Sequence, residues 1–153
     1  MTRRLEAMHA VPPGFTGAST LSAAMCELAR RLPRGEAAHL ARALPDAVRP
    51  LVEPCALARE ESPTPCSRDE LLDHLAERFE VDRPSAELTL RAVFRVVQDE
   101  LSEADVRHVE SQLPEDIADI WRLGQTRLTE VRSVEKPRRA AERAARAGTA
   151  RPR

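Results

Sequence analysis

Leu32-Pro-Arg-Gly-Glu-Ala-Ala-His-Leu-Ala-Arg-Ala-Leu-Pro45 and Leu101-Ser-Glu-Ala-Asp-Val-Arg-His-Val-Glu-Ser-Gln-Leu-Pro114 share one skeleton, 69 residues apart. Leu opens each stretch, His stands eighth, and Leu-Pro closes it. Fixed-offset self-similarity of this kind is the first thing to look for in a chain, because it sets the architecture. The same offset aligns 19–51 with 88–120 without a gap, with seven identities. They are Thr20/Thr89, Leu21/Leu90, Ala23/Ala92, Leu32/Leu101, His39/His108, Leu44/Leu113 and Pro45/Pro114. Apolar positions also match in kind: Met25 with Phe94, Leu28 with Val97, Ala37 with Val106, Leu40 with Val109, Val48 with Ile117, Leu51 with Ile120. The expectation is two copies of one supersecondary unit, packed face to face about a pseudo-twofold axis.

Each unit reads as helical. Leu21, Met25, Leu28 and Leu32 follow i, i+4, i+7, i+11, one face of a 3.6-residue period, and Leu90, Phe94, Val97 and Leu101 do the same. A turn follows at Pro33-Arg-Gly35 and at Ser102-Glu-Ala-Asp105, where Ser102 and Asp105 resemble a capping box. The next helix stops before Pro45 and Pro114, because the residue before a proline avoids helical geometry. Those prolines suit the first turn of a short third helix, with Asp46, Glu115 and Asp116 near its positive end. That helix is expected to end near Pro50–Pro54 in the first unit and near Trp121 in the second. Ser67-Arg-Asp-Glu70 is a capping box opening a helix through Leu71, Leu75 and Phe79. No stretch alternates in the manner of a strand. The fold class is therefore all-α: two pseudo-symmetric multi-helix repeats packed as one helical domain, with a basic C-terminal extension. The boundaries read as a partly flexible N-terminal segment at 1–17 and a two-repeat domain at 18–122. The repeats fall near 18–53 and 67–122, with a linker at 54–66, and a part-helical, part-disordered basic tail fills 123–153.

The body resembles the bacterial family catalogued as domain of unknown function 2267. The resemblance is carried by Leu32–Pro45, Ser67-Arg-Asp-Glu-Leu-Leu72 and Leu113-Pro-Glu-Asp-Ile-Ala-Asp-Ile-Trp121. It covers roughly residues 14 to 122 and implies an α-helical two-repeat domain. It implies no activity and no catalytic residues. The chain departs from the pattern at its start: the stretch at 1–10 that corresponds to the 68–79 helix is short and runs into Val11-Pro-Pro-Gly14.

Composition excludes several classes. The chain has 153 residues, 42% of them hydrophobic, enough for one core. No run of 18 apolar residues would span a membrane, and the basic start lacks an apolar segment that would make it a secretory signal. Aromatics are 3% with no Tyr, which rules out an extensive base-stacking platform. The formal charge of −1 hides a split. Residues 122–153 hold ten Lys/Arg and three acids, +7; residues 1–121 hold 14 basic and 22 acidic residues, −8. Lys136 is the only lysine among 24 cations, a bias in keeping with a GC-rich genome or with forked guanidinium contacts. Within the body, 19–51 has five Arg against three acids and 88–120 has three Arg against eight. Arg30, Arg31 and Arg34 align with Asp99, Glu100 and Glu103, so equivalent faces of opposite sign could meet across a homodimer or face different partners.

The chemistry-bearing residues are few. Cys26, Cys55 and Cys66 are odd in number and contain no C-x-x-C, so neither a disulfide framework nor a zinc ribbon is indicated. Cys26 reads as a small buried apolar residue. Cys55 and Cys66 are near enough in sequence to pair if oxidised, yet a cytoplasm keeps them as thiols. His39 and His108 could meet near a pseudo-axis and hold a metal or titrate together. Each lies one residue before an inward position, and neither has a ligand at i+3 or i+4, so solvent-facing histidines are the expectation. Carboxylate pairs at Glu60-Glu61, Asp99-Glu100 and Glu115-Asp116 fall on polar faces, in the linker or at helix starts. No G-x-S-x-G and no phosphate-binding glycine loop occur. Neither a catalytic residue nor a cofactor is expected. The tail offers Lys136, Arg138, Arg139, Arg143 and Arg146 as phosphate contacts through counterion release. The expected function is a cytoplasmic, non-catalytic helical interaction or accessory module with an unidentified protein partner. The alternative is nucleic-acid association through the tail.

Overall fold

A computed structural model describes residues 1–57, 63 and 65–125. Among these, the chain forms eight helices and no strand. They are α1 (Thr2–Ala7), α2 (Gly17–Ala29), α3 (Arg34–Ala43), α4 (Arg49–Leu57), α5 (Arg68–Phe79), α6 (Arg83–Gln98), α7 (Glu103–Gln112) and α8 (Glu115–Gln125). None is long and apolar enough to cross a membrane. The basic stretch and its candidate contacts Lys136, Arg138, Arg139, Arg143 and Arg146 lie outside the described residues, as does any helix between 126 and 134.

Local chemistry explains where the helices start. Ser67 accepts a hydrogen bond from the Glu70 backbone N–H, and the Glu70 carboxylate accepts from the Ser67 N–H. The Ser67 backbone N–H first, and then the Ser67 hydroxyl, hold the Glu70 carboxyl below its ordinary pKa. Thr16 and Ser19 close a second such box at the start of α2. Asp82 caps α6 through the Ser85 N–H at 2.8 Å, with Pro84 in the first turn, where a missing N–H costs nothing. Ser102 caps α7 through the Asp105 N–H.

α2 and α6 form the centre. α2 packs on α1, α4, α5 and α6; α6 packs on α1, α2, α5 and α8. Their apolar faces meet in one core of Leu21, Met25, Leu28, Leu90, Phe94 and Val97, joined by Phe79 from α5 and Trp121 from α8. α3 lies on α4 and α7, and α7 on α8. Two glycines record close approaches. A Cβ on Gly17 would lie 2.6 Å from the Thr2 carbonyl oxygen, and one on Gly124 would lie 3.0 Å from the Phe94 Cβ. α1 can therefore cross the start of α2, where the Glu6 carboxylate accepts from the Gly17 N–H at 3.0 Å. The N-terminal stretch is ordered as a short helix with Leu5 fully buried.

Three details differ from the sequence reading. α8 continues past Trp121 to Gln125. The third helix of the first unit starts at Arg49 rather than at Pro45, which opens a separate turn (Val48 N–H to Pro45 O, 2.9 Å). It also runs beyond Pro54, which lies inside it. An interior proline costs about 3 kcal/mol. Burial of Val52 and Ala56 on either side offsets part of that cost. The third difference is a covalent bond: Cys26 of α2 and Cys55 of α4 form a disulfide, with Cα atoms 5.4 Å apart. The expectation of three thiols is corrected, since α2 and α4 pack together and bring Cys55 to Cys26 rather than to its sequence neighbour Cys66. Closing a loop across a separation of 29 residues removes unfolded-state entropy worth about 2–4 kcal/mol. Dithiothreitol should therefore lower the urea-unfolding midpoint, and an unchanged midpoint would count against the crosslink.

Candidate functional site

The seam between α3 and α7 holds the polar arrangement that sequence reasoning expected least. His39 and His108, aligned at the 69-residue offset, face each other with ring centroids 5.7 Å apart and planes at 72°. Both side chains are about half exposed, at 47% and 46%. His39 Nε2 lies 3.0 Å from Asp105 Oδ1, and His108 Nε2 lies 2.5 Å from Glu36 Oε2. Glu36 and Asp105 are themselves separated by 69 residues. Each imidazole thus bonds the counterpart of its own helix's carboxylate on the other helix. The Asp105 carboxyl is held below its ordinary pKa, first by the hydrogen bond with His39 and then by the one from Ser102, with both imidazoles adding electrostatic attraction. These histidines are solvent-reachable, as expected, but they are also paired, which periodicity along one helix could not reveal.

The contacts 36 to 108 and 39 to 105 show that α3 and α7 run antiparallel. Arg34 at the start of α3 and Glu103 at the start of α7 therefore occupy opposite ends of the seam. Both are exposed, and neither makes an ion pair with a described residue.

The remaining charged residues separate into free and engaged groups. Glu100 is exposed and also without an ion pair to a described residue. Asp99 is bound by Arg4 and, at 3.4 Å, by Arg95. Glu110, Glu115 and Asp119 all converge on Arg122, whose pKa Glu110 and Glu115 raise. Much of the negative excess counted along 88–120 is therefore neutralised by Arg4 and Arg122, which lie outside that stretch. Arg30 is exposed and bonds Glu27 at 3.3 Å.

Arg31 leaves the proposed face altogether. It is 2% exposed and bonds Glu27 Oε2 at 2.8 Å, the Glu27 carbonyl at 3.0 Å and Cys66 Sγ at 2.8 Å. It stands just past the end of α2, in the turn before α3, between the buried Leu28 and Leu32. The i, i+4 spacing of Glu27 and Arg31 was the available sequence signal.

An all-helical domain with a covered apolar core and a polar seam is the class these features define. The chain belongs to the family described as Uncharacterized conserved protein (DUF2267), whose model matches residues 9–120. No curated protein matches it.

Proposed function

We propose that the protein is a non-catalytic interaction module that recognises a second copy of itself, or a protein of similar charge layout, through opposite-signed ends of the α3–α7 seam. The observation that carries this reading is the separation of Arg34 from Glu103. Antiparallel helices keep the two apart within one chain, so each remains available to another chain. A two-fold arrangement would pair Arg34 with Glu103 of the second copy and the reverse, the self-complementary geometry that closes a dimer. Arg30 and Glu100 extend the two patches. The apolar side offers little by comparison: Leu57 and Leu88 are the exposed large hydrophobic residues among those described. Electrostatic contacts of this kind set specificity and encounter rate and weaken with salt. Light scattering should give a heavier species at low salt and a monomer at high salt. Arg34→Glu should abolish the heavier species and the pair Arg34→Glu/Glu103→Arg should restore it. One unchanged monomer mass at every salt concentration would refute the proposal.

The proposal includes duplicated units in a bacterial chain. The matching bounds of α3 and α7, each end offset by 69 residues, and the reciprocal histidine–carboxylate bonds support the duplication. The arginine- and alanine-rich composition supports the source. It also includes a cytoplasmic setting, and the Cys26–Cys55 disulfide is the observation that pulls against it, since such compartments keep thiols reduced. A second reading rests on the +7 charge of 122–153: association with nucleic acid through the tail. Duplex DNA should then bind the full chain with steep salt dependence and bind a chain lacking 136–153 far more weakly. Equal affinities would remove this alternative.

A further inference from the structure

The paired imidazoles have a chemical consequence beyond self-association. Asp105 and Glu36 can only accept hydrogen bonds when ionised, so Nε2 of His39 and Nε2 of His108 each carry the proton and donate it. In a neutral ring the other nitrogen, Nδ1, then presents a lone pair. Neither Nδ1 is hydrogen-bonded to a described residue. A carboxylate that holds the far nitrogen of an imidazole fixes the tautomer, orients the ring and raises its basicity as a ligand. Here that arrangement occurs twice, on two rings that face each other.

We propose that His39 and His108 chelate one first-row divalent cation of the zinc or nickel type through their Nδ1 atoms, at the solvent-facing side of the α3–α7 seam. Water completes the coordination shell. Glu36 and Asp105 act as orienting groups behind the ligands.

The distances fit. With a metal–nitrogen bond of about 2.0–2.1 Å, a ring centroid lies roughly 3.2 Å from the ion, so two ligating rings span at most about 6.4 Å between centroids. The observed 5.7 Å falls inside that limit. The torsion that turns an imidazole about its own attachment is broad and soft, so each ring can adjust by small turns that keep its Nε2 bond. Among the described residues no three His, Cys, Asp or Glu side chains form a metal cage. The site therefore has two protein ligands, with both carboxylates on the Nε2 edges. Two nitrogen ligands favour zinc, nickel or copper over magnesium and calcium. The paired carboxylates supply two negative charges beside the cation. The rings' exposure leaves an open path from solvent.

The test is calorimetric titration of zinc chloride into the full chain, at a salt concentration that holds it monomeric and at pH 7.5. One ion should bind per chain in the micromolar range, and magnesium chloride should give no heat. His39→Gln and His108→Gln should each weaken binding at least tenfold. Glu36→Gln and Asp105→Asn should weaken it by about 10–100-fold, the range for groups that orient a ligand. His74→Gln should bind as the parent does, because His74 lies on α5 beside Glu27 and Arg30 in a separate cleft. Lowering the pH to 5.5 should suppress binding as protons compete for Nδ1. Circular dichroism confirms that each variant is folded. Absence of zinc binding, or parent-like binding in the His39→Gln/His108→Gln double variant, would overturn the proposal.

Discussion

Trp121→Ala is expected to destabilise the protein by about 4 kcal/mol, at the upper range of large-to-small core substitutions. Trp121 is fully buried. Its ring meets Phe94 edge-on, with centroids 5.0 Å apart and planes at 62°. Its indole N–H donates to the Val106 carbonyl at 3.2 Å. One side chain thus joins α8 to α6 and to α7, and truncating it opens a cavity where the three meet. The loss compares with a total stability of about 5–15 kcal/mol for a domain of this size. Trp121→Phe separates the contributions, since it keeps most of the ring and removes the donor; its cost should be nearer 1–2 kcal/mol. Urea unfolding followed by far-ultraviolet circular dichroism measures both, because the variants lack the only tryptophan and with it the fluorescence signal. A loss under 1 kcal/mol for the alanine variant would show that α8 is not anchored through this residue.

Much of the helical layout was readable before the structure because it depends on local rules. The capping box at Ser67 and Glu70 appears as expected. α3 and α7 stop just before Leu44-Pro45 and Leu113-Pro114, as the restriction on pre-proline residues requires. Of the apolar positions taken from the period, Leu21, Met25, Leu28, Leu32, Leu90, Phe94 and Val97 are buried, while Leu101 is partly buried against the core. What escaped detection depends on contacts between distant segments. α1 has six residues, too few for a period to show, and it is held by Leu5 and by Glu6 at the start of α2. Pro54 looked like a terminator, but α4 continues past it, with the burial of Val52 and Ala56 offsetting part of its cost. The disulfide needed the packing of α2 on α4, which an odd cysteine count concealed.

The seam illustrates the same division. His39 and His108 were singled out because they aligned, and their position beside the inward face of each helix was read correctly as solvent-reachable. Their partners were not legible. A carboxylate three residues earlier on the same helix is an ordinary helix neighbour; here it serves the other helix instead. The charge faces fared similarly. Arg30 and Arg34 are exposed, but Arg31 between them is buried, because it lies in the turn between α2 and α3 and folds back onto Glu27. Counting charge along a stretch could not show that Arg122 gathers three acids or that Arg4 reaches Asp99.

Arg31 sets up the second large effect. Glu27→Ala should cost about 3–5 kcal/mol, because it strands a guanidinium in the interior. Glu27 is 4% exposed and Arg31 2%. Arg31 Nε already lacks a hydrogen-bond partner, so the Glu27 carboxylate and carbonyl, with Cys66 Sγ, carry the burden of satisfying the group. Arg31→Met should cost less. The carboxylate it leaves behind retains Arg30, whose exposed head can hold it from the solvent side. The double variant Glu27→Leu/Arg31→Met should be close to the parent or more stable, since apolar groups of similar volume avoid desolvating two charges. Denaturant midpoints of the three chains measure this ordering. Equal losses in both single variants would mean that Arg30 gives Glu27 no support. A double variant as unstable as Glu27→Ala would mean that the ion pair itself, rather than its burial, holds α2 in place. Because Arg31 is internal, Arg31→Met should also leave the salt dependence of self-association unchanged while Arg34→Glu abolishes it, so stability and recognition are separable within five residues of one chain.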